Sequence, residues 1–183
     1  MIFSPNWIIV GGTGRNIGKT TLVEKLVGKF GSRVPLTAIK ISNIKPESRS
    51  FHGHNVEQFS EKILLQKELR TDGNKDSMRL LKAGAETSWF IQTEDVFLPE
   101  TFPEIQAVLK ESQWVVCESN SLRRLVKPGL FIMVEGKNNT SAKKDIPGLL
   151  QLADVVVEAL QWEQFDMLVE RIEIREGRFI LLR

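Results

Sequence analysis

Trp7-Ile8-Ile9-Val10-Gly11-Gly12-Thr13-Gly14-Arg15-Asn16-Ile17-Gly18-Lys19-Thr20-Thr21 is the stretch that decides the fold of this chain. Its opening run from Trp7 to Val10 is short, apolar and rich in β-branched residues, and it stops at a glycine pair. Such a run reads as a buried strand ending at a sharp turn. Beyond the loop, Leu22, Leu26, Val27 and Phe30 recur at helical spacing, Glu24, Lys25 and Lys29 take the other face, and Gly31 marks the stop. That is an amphipathic helix with its breaker. The unit is therefore strand, glycine loop, helix.

A Gly-Lys-Thr between a strand and a helix is the context of a phosphate-binding loop. Glycines let the backbone turn successive N–H groups inward as an anion nest, and the helix N-terminus adds its partial positive charge at the same point. The expected nucleotide-binding residues are Gly12, Thr13, Gly14, Arg15, Asn16, Ile17, Gly18, Lys19, Thr20 and Thr21. Lys19 can reach the outer phosphates as a point charge, and the Thr20 hydroxyl can hold Mg²⁺. The strict pattern places its first glycine at position 13, where this chain has Thr13. Gly11, Gly12 and Gly14 still supply turning freedom. Arg15 has two readings, contact with the terminal phosphate or a solvated side chain. Five residues before Lys19, where one dimerising branch of this class carries an extra lysine, stands Gly14, so that lysine's trans-acting role is not expected.

Working outward, Pro35 to Ile41 reads as a second strand and the polar, turn-rich stretch from Asn43 to Gly53 as a mobile loop. Val56 to Leu69 has mixed helical periodicity, Thr71 to Asn74 breaks it, Ser77 to Lys82 starts a short helix that Gly84 ends, and Trp89 to Gln92 reads as a strand. Trp114 to Cys117, Leu130 to Val134 and Ala153 to Val157 are short, nearly unbroken apolar runs, separated by helical segments around Pro103 to Glu111 and Ile146 to Leu152. Buried parallel strands read that way. The alternation predicts an α/β fold of three layers, the P-loop NTPase arrangement, with a mostly parallel central sheet. The last residues alternate around Glu176-Gly177 and are expected to end the sheet with a hairpin. At 183 residues, positions 1–183 are expected to form a single nucleotide-binding domain.

Trp114-Val115-Val116-Cys117-Glu118 is an apolar strand ending in a carboxylate, the place where such a site sets an acid near Mg²⁺. The competing reading of Glu118 is an ordinary charge at a strand end. Formal charge is only +2, from 25 basic and 23 acidic residues, so the strong positive field of a general nucleic-acid binder is missing. Hydrophobic residues at 42% and charged residues at 26% match a globular composition. Cys117 is the lone cysteine, which excludes an intramolecular disulfide and fits a reducing, cytoplasmic setting. The N-terminal apolar run is far shorter than the ~20 residues that span a bilayer, so no membrane association is expected.

With these residues in place the chain resembles a family. The loop GTGRNIGKTTL with VEKLV after it, the strand end Ala38-Ile39-Lys40, and Lys75-Asp76-Ser77-Met78-Arg79-Leu80-Leu81-Lys82-Ala83-Gly84-Ala85 look like molybdopterin-guanine dinucleotide biosynthesis protein B. The resemblance covers roughly the first 135 residues in three islands, of which the one from Asp76 to Ala85 is most specific. It implies a P-loop protein that binds guanine nucleotide, assists molybdenum cofactor biosynthesis beside a partner protein, and hydrolyses nucleotide slowly. It further implies Asp76 joining Thr20 and Glu118 around Mg²⁺, with Lys40 near the terminal phosphate, so that Lys19, Lys40 and Glu118 form the catalytic set. Asp76 also has a local reading as a helix cap. The chain departs from that family in having Cys117-Glu118-Ser119-Asn120-Ser121 and Ile39-Lys40-Ile41 where the family carries other flanking groups. The same loop form, with Thr13 opening it and a lysine ending the second strand, is similar to dethiobiotin synthetase, which implies an ATP-dependent ligase or kinase acting on a small molecule.

The choice of GTP or ATP stays open. Asn74-Lys75-Asp76 and Ala142-Lys143-Lys144-Asp145 approach a guanine-reading signature without matching it, and Asp145 also reads as a helix cap. His52 and His54 have no Cys or carboxylate at ligand spacing and read as surface loop. Three functions are carried forward: a GTP-binding accessory protein with slow turnover, an ATP-dependent kinase or ligase, and a binding module that no longer hydrolyses nucleotide. A monomer and a homodimer are both compatible with the sequence.

Overall fold

In the computed structural model, residues 1–43, 56–109, 113–136 and 145–182 are described. The expected loop from Asn43 to Gly53, both histidines, and Ala142, Lys143 and Lys144 fall outside them apart from Asn43. The chain runs β1 (Ile2–Gly12), α1 (Lys19–Phe30), β2 (Leu36–Ser42), β3 (Val56–Phe59), β4 (Leu64–Glu68), α2 (Asp76–Lys82) and β5 (Thr87–Gln92). It continues through α3 (Leu98–Ala107), β6 (Trp114–Glu118), a 3₁₀ turn (Ser121–Arg124), β7 (Val126–Glu135), α4 (Ile146–Gln151), β8 (Val155–Glu158), α5 (Trp162–Glu170), β9 (Ile172–Arg175) and β10 (Arg178–Leu181). The fold is α/β, and its main sheet has the order β3-β4-β5-β2-β6-β1-β7-β8. From β5 to β8 every neighbouring pair is parallel, while β4 pairs antiparallel with both β3 and β5.

Two cores lie on opposite faces of this sheet, which makes three layers. On one face Val10, Ala38, Val116 and Ile132 meet Leu22, Leu26 and Phe30 of α1, Leu80 of α2 and Phe165 of α5. On the other, Ile9, Ile39, Cys117 and Phe131 meet Phe102 of α3, Leu122 of the 3₁₀ turn and Leu149 of α4. Successive residues of a strand point to opposite faces, so neighbours such as Ile9 and Val10 enter different cores. This is why the central strands read as unbroken apolar runs.

Val56 to Leu69, with its mixed helical periodicity, is a pair of strands instead of a helix. Leu64 and Leu65 pair with Gln92 and Ile91 across an antiparallel ladder, and Ile63 and Leu65 are fully buried. Short apolar runs are ambiguous in period, and pairing with a distant strand overrides local preference. The C-terminal hairpin forms, with Glu176 and Gly177 at φ +50° and +73° in its turn, but as a separate two-stranded sheet. Phe179 carries it onto the α1 face, edge-on to Phe30 at 5.1 Å and to Trp114 at 4.9 Å. Helix α3 starts at Leu98, ahead of the expected Pro103, because Pro99 falls in its first turn, where the missing N–H is harmless. Helix α5 had no counterpart in the sequence reading, although Phe165, Leu168 and Val169 show its buried stripe. Among the described residues no helix is long and apolar enough to cross a membrane.

The end of α1 is held by contact between two backbones. A Cβ on Gly31 would lie 2.2 Å from the carbonyl oxygen of Gly84, which itself has φ +111°. Gly31→Ala must push these turns apart, and we expect it to lower stability by about 1–3 kcal/mol in urea unfolding. An unchanged midpoint would show that α1 and α2 can separate freely.

Candidate functional site

The sheet register assembles the polar groups. Lys40 of β2 sits opposite Glu118 of β6, which sits opposite Val10 of β1, followed across β7 by Ile132. In a parallel sheet residues on one rung share a face, so Lys40 and Glu118 point to the side where Val10 and Ile132 meet α1. There Thr20, in the first turn of α1, donates its hydroxyl to Glu118 Oε2 at 2.7 Å. Lys40 Nζ donates to Glu118 Oε1 at 3.2 Å and to Asp76, the first residue of α2. Arg79 extends the network, 3.6 Å from Asp76 and bonded through two nitrogens to Glu24 at 2.8 and 2.5 Å.

Glu118 is only 7% exposed, so its charge needs a partner within the protein. Burial works to lower the Lys40 pKa, but the charge of Glu118 and the hydrogen bond and charge of Asp76 outweigh it and leave Lys40 raised above its ordinary 10.5. A raised pKa means the lysine's contribution to stability is complete at neutral pH and fades only as pH climbs past the ordinary value. Burial pushes the Cys117 thiol well up, with the Glu118 charge adding to it, which agrees with a core residue and not a reactive thiolate.

The loop between β1 and α1 is built by specific contacts. Thr13 N donates to Val134 O at 3.0 Å, and the Thr13 hydroxyl accepts from Gly136 N at 2.9 Å. A threonine in place of the pattern's glycine thus ties the loop to the end of β7. Asn120 brackets Gly12, accepting from its N–H at 2.8 Å and donating to its carbonyl at 2.9 Å. Gly18 has φ +94°, a conformation that favours glycine, and it precedes a helix whose N-terminus has no side-chain cap. Lys19 Nζ folds back to the Gly14 carbonyl at 2.5 Å. Arg15 and Asn16 are exposed, and Thr21 lies 3.5 Å from Arg79 Nη2.

The structure therefore brings Thr20, Lys40, Asp76 and Glu118 into one cluster beside the loop, while the Lys19 ammonium bonds the loop's own Gly14 carbonyl and Arg15 faces solvent. Asp76 is turned to Lys40 and Arg79. Asp145 precedes α4 in a left-handed conformation without capping it by its side chain, and its carboxylate lies 3.5 Å from Arg124. Sequence reasoning missed Asn120, whose partner is 108 residues away, and the Arg79–Glu24 pair.

No three His, Cys, Asp or Glu side chains among the described residues converge as a metal cage. Two carboxylates and a hydroxyl nevertheless fit a hard cation that takes its remaining oxygens from water and phosphate. The site already holds a cation, the Lys40 ammonium, between the same two carboxylates. Comparison of the chain with family models, curated proteins and solved structures gives no match. The site stands on its own geometry.

Asn120→Ala strips both polar groups of Gly12 of their partner. We expect a loss of about 1–3 kcal/mol and faster amide hydrogen exchange at Gly12 to Gly18. Unchanged exchange there would mean that Asn120 does not hold the loop.

Proposed function

We propose that this protein binds a nucleoside triphosphate with Mg²⁺, the phosphates lying over the loop from Gly12 to Thr21. The observation that carries this reading is the Thr20–Glu118 hydrogen bond, which sets a hydroxyl and a buried carboxylate together at the N-terminus of α1. The left-handed Gly18, an α1 N-terminus without a side-chain cap and the Lys19 ammonium folded onto the loop add a site for an anion next to a site for a cation. Thr20, Glu118 and Asp76 would hold Mg²⁺, which supplies charge neutralisation at the phosphates when bound. Lys19 would exchange the Gly14 carbonyl for a phosphate oxygen, and Lys40 would release its carboxylates and turn to the terminal phosphate. Slow hydrolysis, with an accessory role in molybdenum cofactor biosynthesis and a cytoplasmic location, is the finer reading. The turnover and the accessory role rest on the resemblance of the Asp76 to Ala85 segment, and the location on the lone Cys117.

A second reading, the ATP-dependent kinase or ligase, is favoured by an open surface depression of about 600 Å³ lined by Glu24, Asn74, Arg79, Lys82 and Ala83. Arg79 links that depression to Asp76 and so to Lys40, and with Lys82 it would meet an anionic acceptor there.

Calorimetric titration of Mg²⁺ with ATP and GTP analogues into wild type and Lys19→Ala tests the proposal. We expect binding by wild type, weakened about tenfold to a hundredfold by losing one charge-assisted contact. GTP preference supports the accessory reading and ATP preference the ligase. No binding by wild type at millimolar concentration overturns both.

Lys40→Met leaves Glu118 and Asp76 without their ammonium. We expect a lower Tm in chelator and a larger rise with millimolar Mg²⁺ than wild type shows. Equal responses to Mg²⁺ would count against a cation site between these carboxylates.

A further inference from the structure

The main sheet lays the groups around the loop out in a line. Lys40 of β2 and Glu118 of β6 lie on one side of β1, and the ends of β7 and β8 lie on the other. On the proposed reading, Lys40, Glu118 and Asp76 mark the end where the metal and terminal phosphate sit. The sugar and base of the same ligand must then leave toward β7 and β8.

What the fold places there is Trp162, the first residue of α5. A Cβ on Gly18 would lie 3.1 Å from Trp162 Cζ3 and 3.3 Å from Cη2, so the indole reaches the glycine that opens α1. Phe165 packs beside it, its Cε2 also 3.1 Å from that Cβ position and its ring edge-on to the indole at 5.5 Å and 83°, and is itself fully buried. Trp162 stays 44% exposed, whereas Trp7 and Trp89 are 7% and 3% exposed. The turn that delivers it is constrained where it leaves β8. Ala159 N donates to Glu135 O at 2.8 Å, and Leu160 takes φ +60°, a left-handed conformation that a leucine holds only when its surroundings impose it. Lys25 of α1 bonds Asp166 of α5 at 2.5 Å, and Lys29 donates to the carbonyls of Val169 and Ile172 at 2.9 and 2.6 Å, pinning α5 along α1. An exposed aromatic ring is thus mounted rigidly beside the loop, on the side away from the cation cluster.

We propose that Trp162 is the base-contact residue of the nucleotide site, an aromatic surface against which the base packs. This rests on the phosphate-site reading and adds to it the direction in which the ligand lies. Stacking accepts any base, since every base has a π-face. Trp162 therefore raises affinity for ATP and GTP alike and leaves the choice between them to other groups.

Inorganic tripolyphosphate carries the phosphates without a base and separates the two claims. We would titrate Mg²⁺ with ATP, GTP and tripolyphosphate into wild type, Trp162→Phe, Trp162→Ala and Lys19→Ala, with thermal unfolding of each variant as the folding control. Trp162→Ala should bind both nucleotides about tenfold more weakly and tripolyphosphate as wild type does, Trp162→Phe should retain most affinity, and Lys19→Ala should bind all three ligands about tenfold to a hundredfold more weakly. Tryptophan fluorescence of wild type should respond to nucleotide and not to tripolyphosphate, and Trp162→Phe should lose that response. Undiminished nucleotide binding by Trp162→Ala overturns the proposal. An equal loss for tripolyphosphate also overturns it, by reducing Trp162 to a support of the loop. If wild type binds tripolyphosphate but neither nucleotide, the base contact is wrong and the phosphate site stands. If it binds none of the three, the phosphate site itself falls, and the base contact with it.

Discussion

Glu118 is the residue on which the polar end of this structure depends. A carboxylate 7% exposed at the end of a central strand costs several kcal/mol unless its charge is met. Thr20 meets it from α1 and Lys40 from the neighbouring strand. Lys40 in turn draws Asp76, and with it the start of α2, toward the same point. One buried charge thereby ties β6, β2, α1 and α2 together at the end of the sheet where the glycine loop lies. A fold needing only stability would be served as well by an apolar residue there, since replacing buried ion pairs by hydrophobic groups is often neutral or favourable. The arrangement gains its sense if the carboxylate is kept for exchange of one cation for another.

The parallel sheet supplies the geometry for this. Registers that set Lys40, Glu118 and Val10 on one rung place two charged groups and the approach to the loop on the face of α1, because alternation along each strand leaves no other choice. Asn120 and Thr13 then fix the loop to its own strand and to the end of β7. In open α/β sheets ligands gather at the carboxyl ends of the strands, where loops are free to vary while the scaffold stays rigid. Here the strand order sets Lys40 and Glu118, on β2 and β6, to one side of β1 and its loop, and β7 and β8, with the turn that leads to Trp162, to the other.

How much of this could be read from the sequence follows from the range of each interaction. The unit from β1 to α1 was legible residue by residue, since an apolar run, a glycine loop and a 3.6-residue stripe are all local signals, and α1 spans Lys19 to Phe30 as its stripe implies. Lys40 and Glu118 were legible as strand-end charges, but their meeting depends on register between strands distant in sequence. Val56 to Leu69 misled because its apolar run serves a ladder with β5, which no local period reports. Asn120 carried no pattern at all, being one polar residue after a strand. Asp76 had a local reading as a helix cap, but it is the first residue of α2, which has no side-chain cap, and its carboxylate meets the ammonium of Lys40, 36 residues away. Helix α5 was visible in Phe165, Leu168 and Val169 and was overlooked; with it went Trp162.

On the proposed reading, the loop and the Thr20–Glu118 pair together receive phosphates and a divalent cation. The most direct test is a crystal structure of the protein with Mn²⁺ and a non-hydrolysable nucleoside triphosphate, using the anomalous signal to locate the metal. We expect a manganese peak within bonding distance of Thr20 Oγ1, the phosphates over Gly12 to Thr20, and Lys40 swung away from Glu118 toward the terminal phosphate. Nucleotide bound elsewhere, or Lys40 still between Asp76 and Glu118 with no metal beside Thr20, would contradict it.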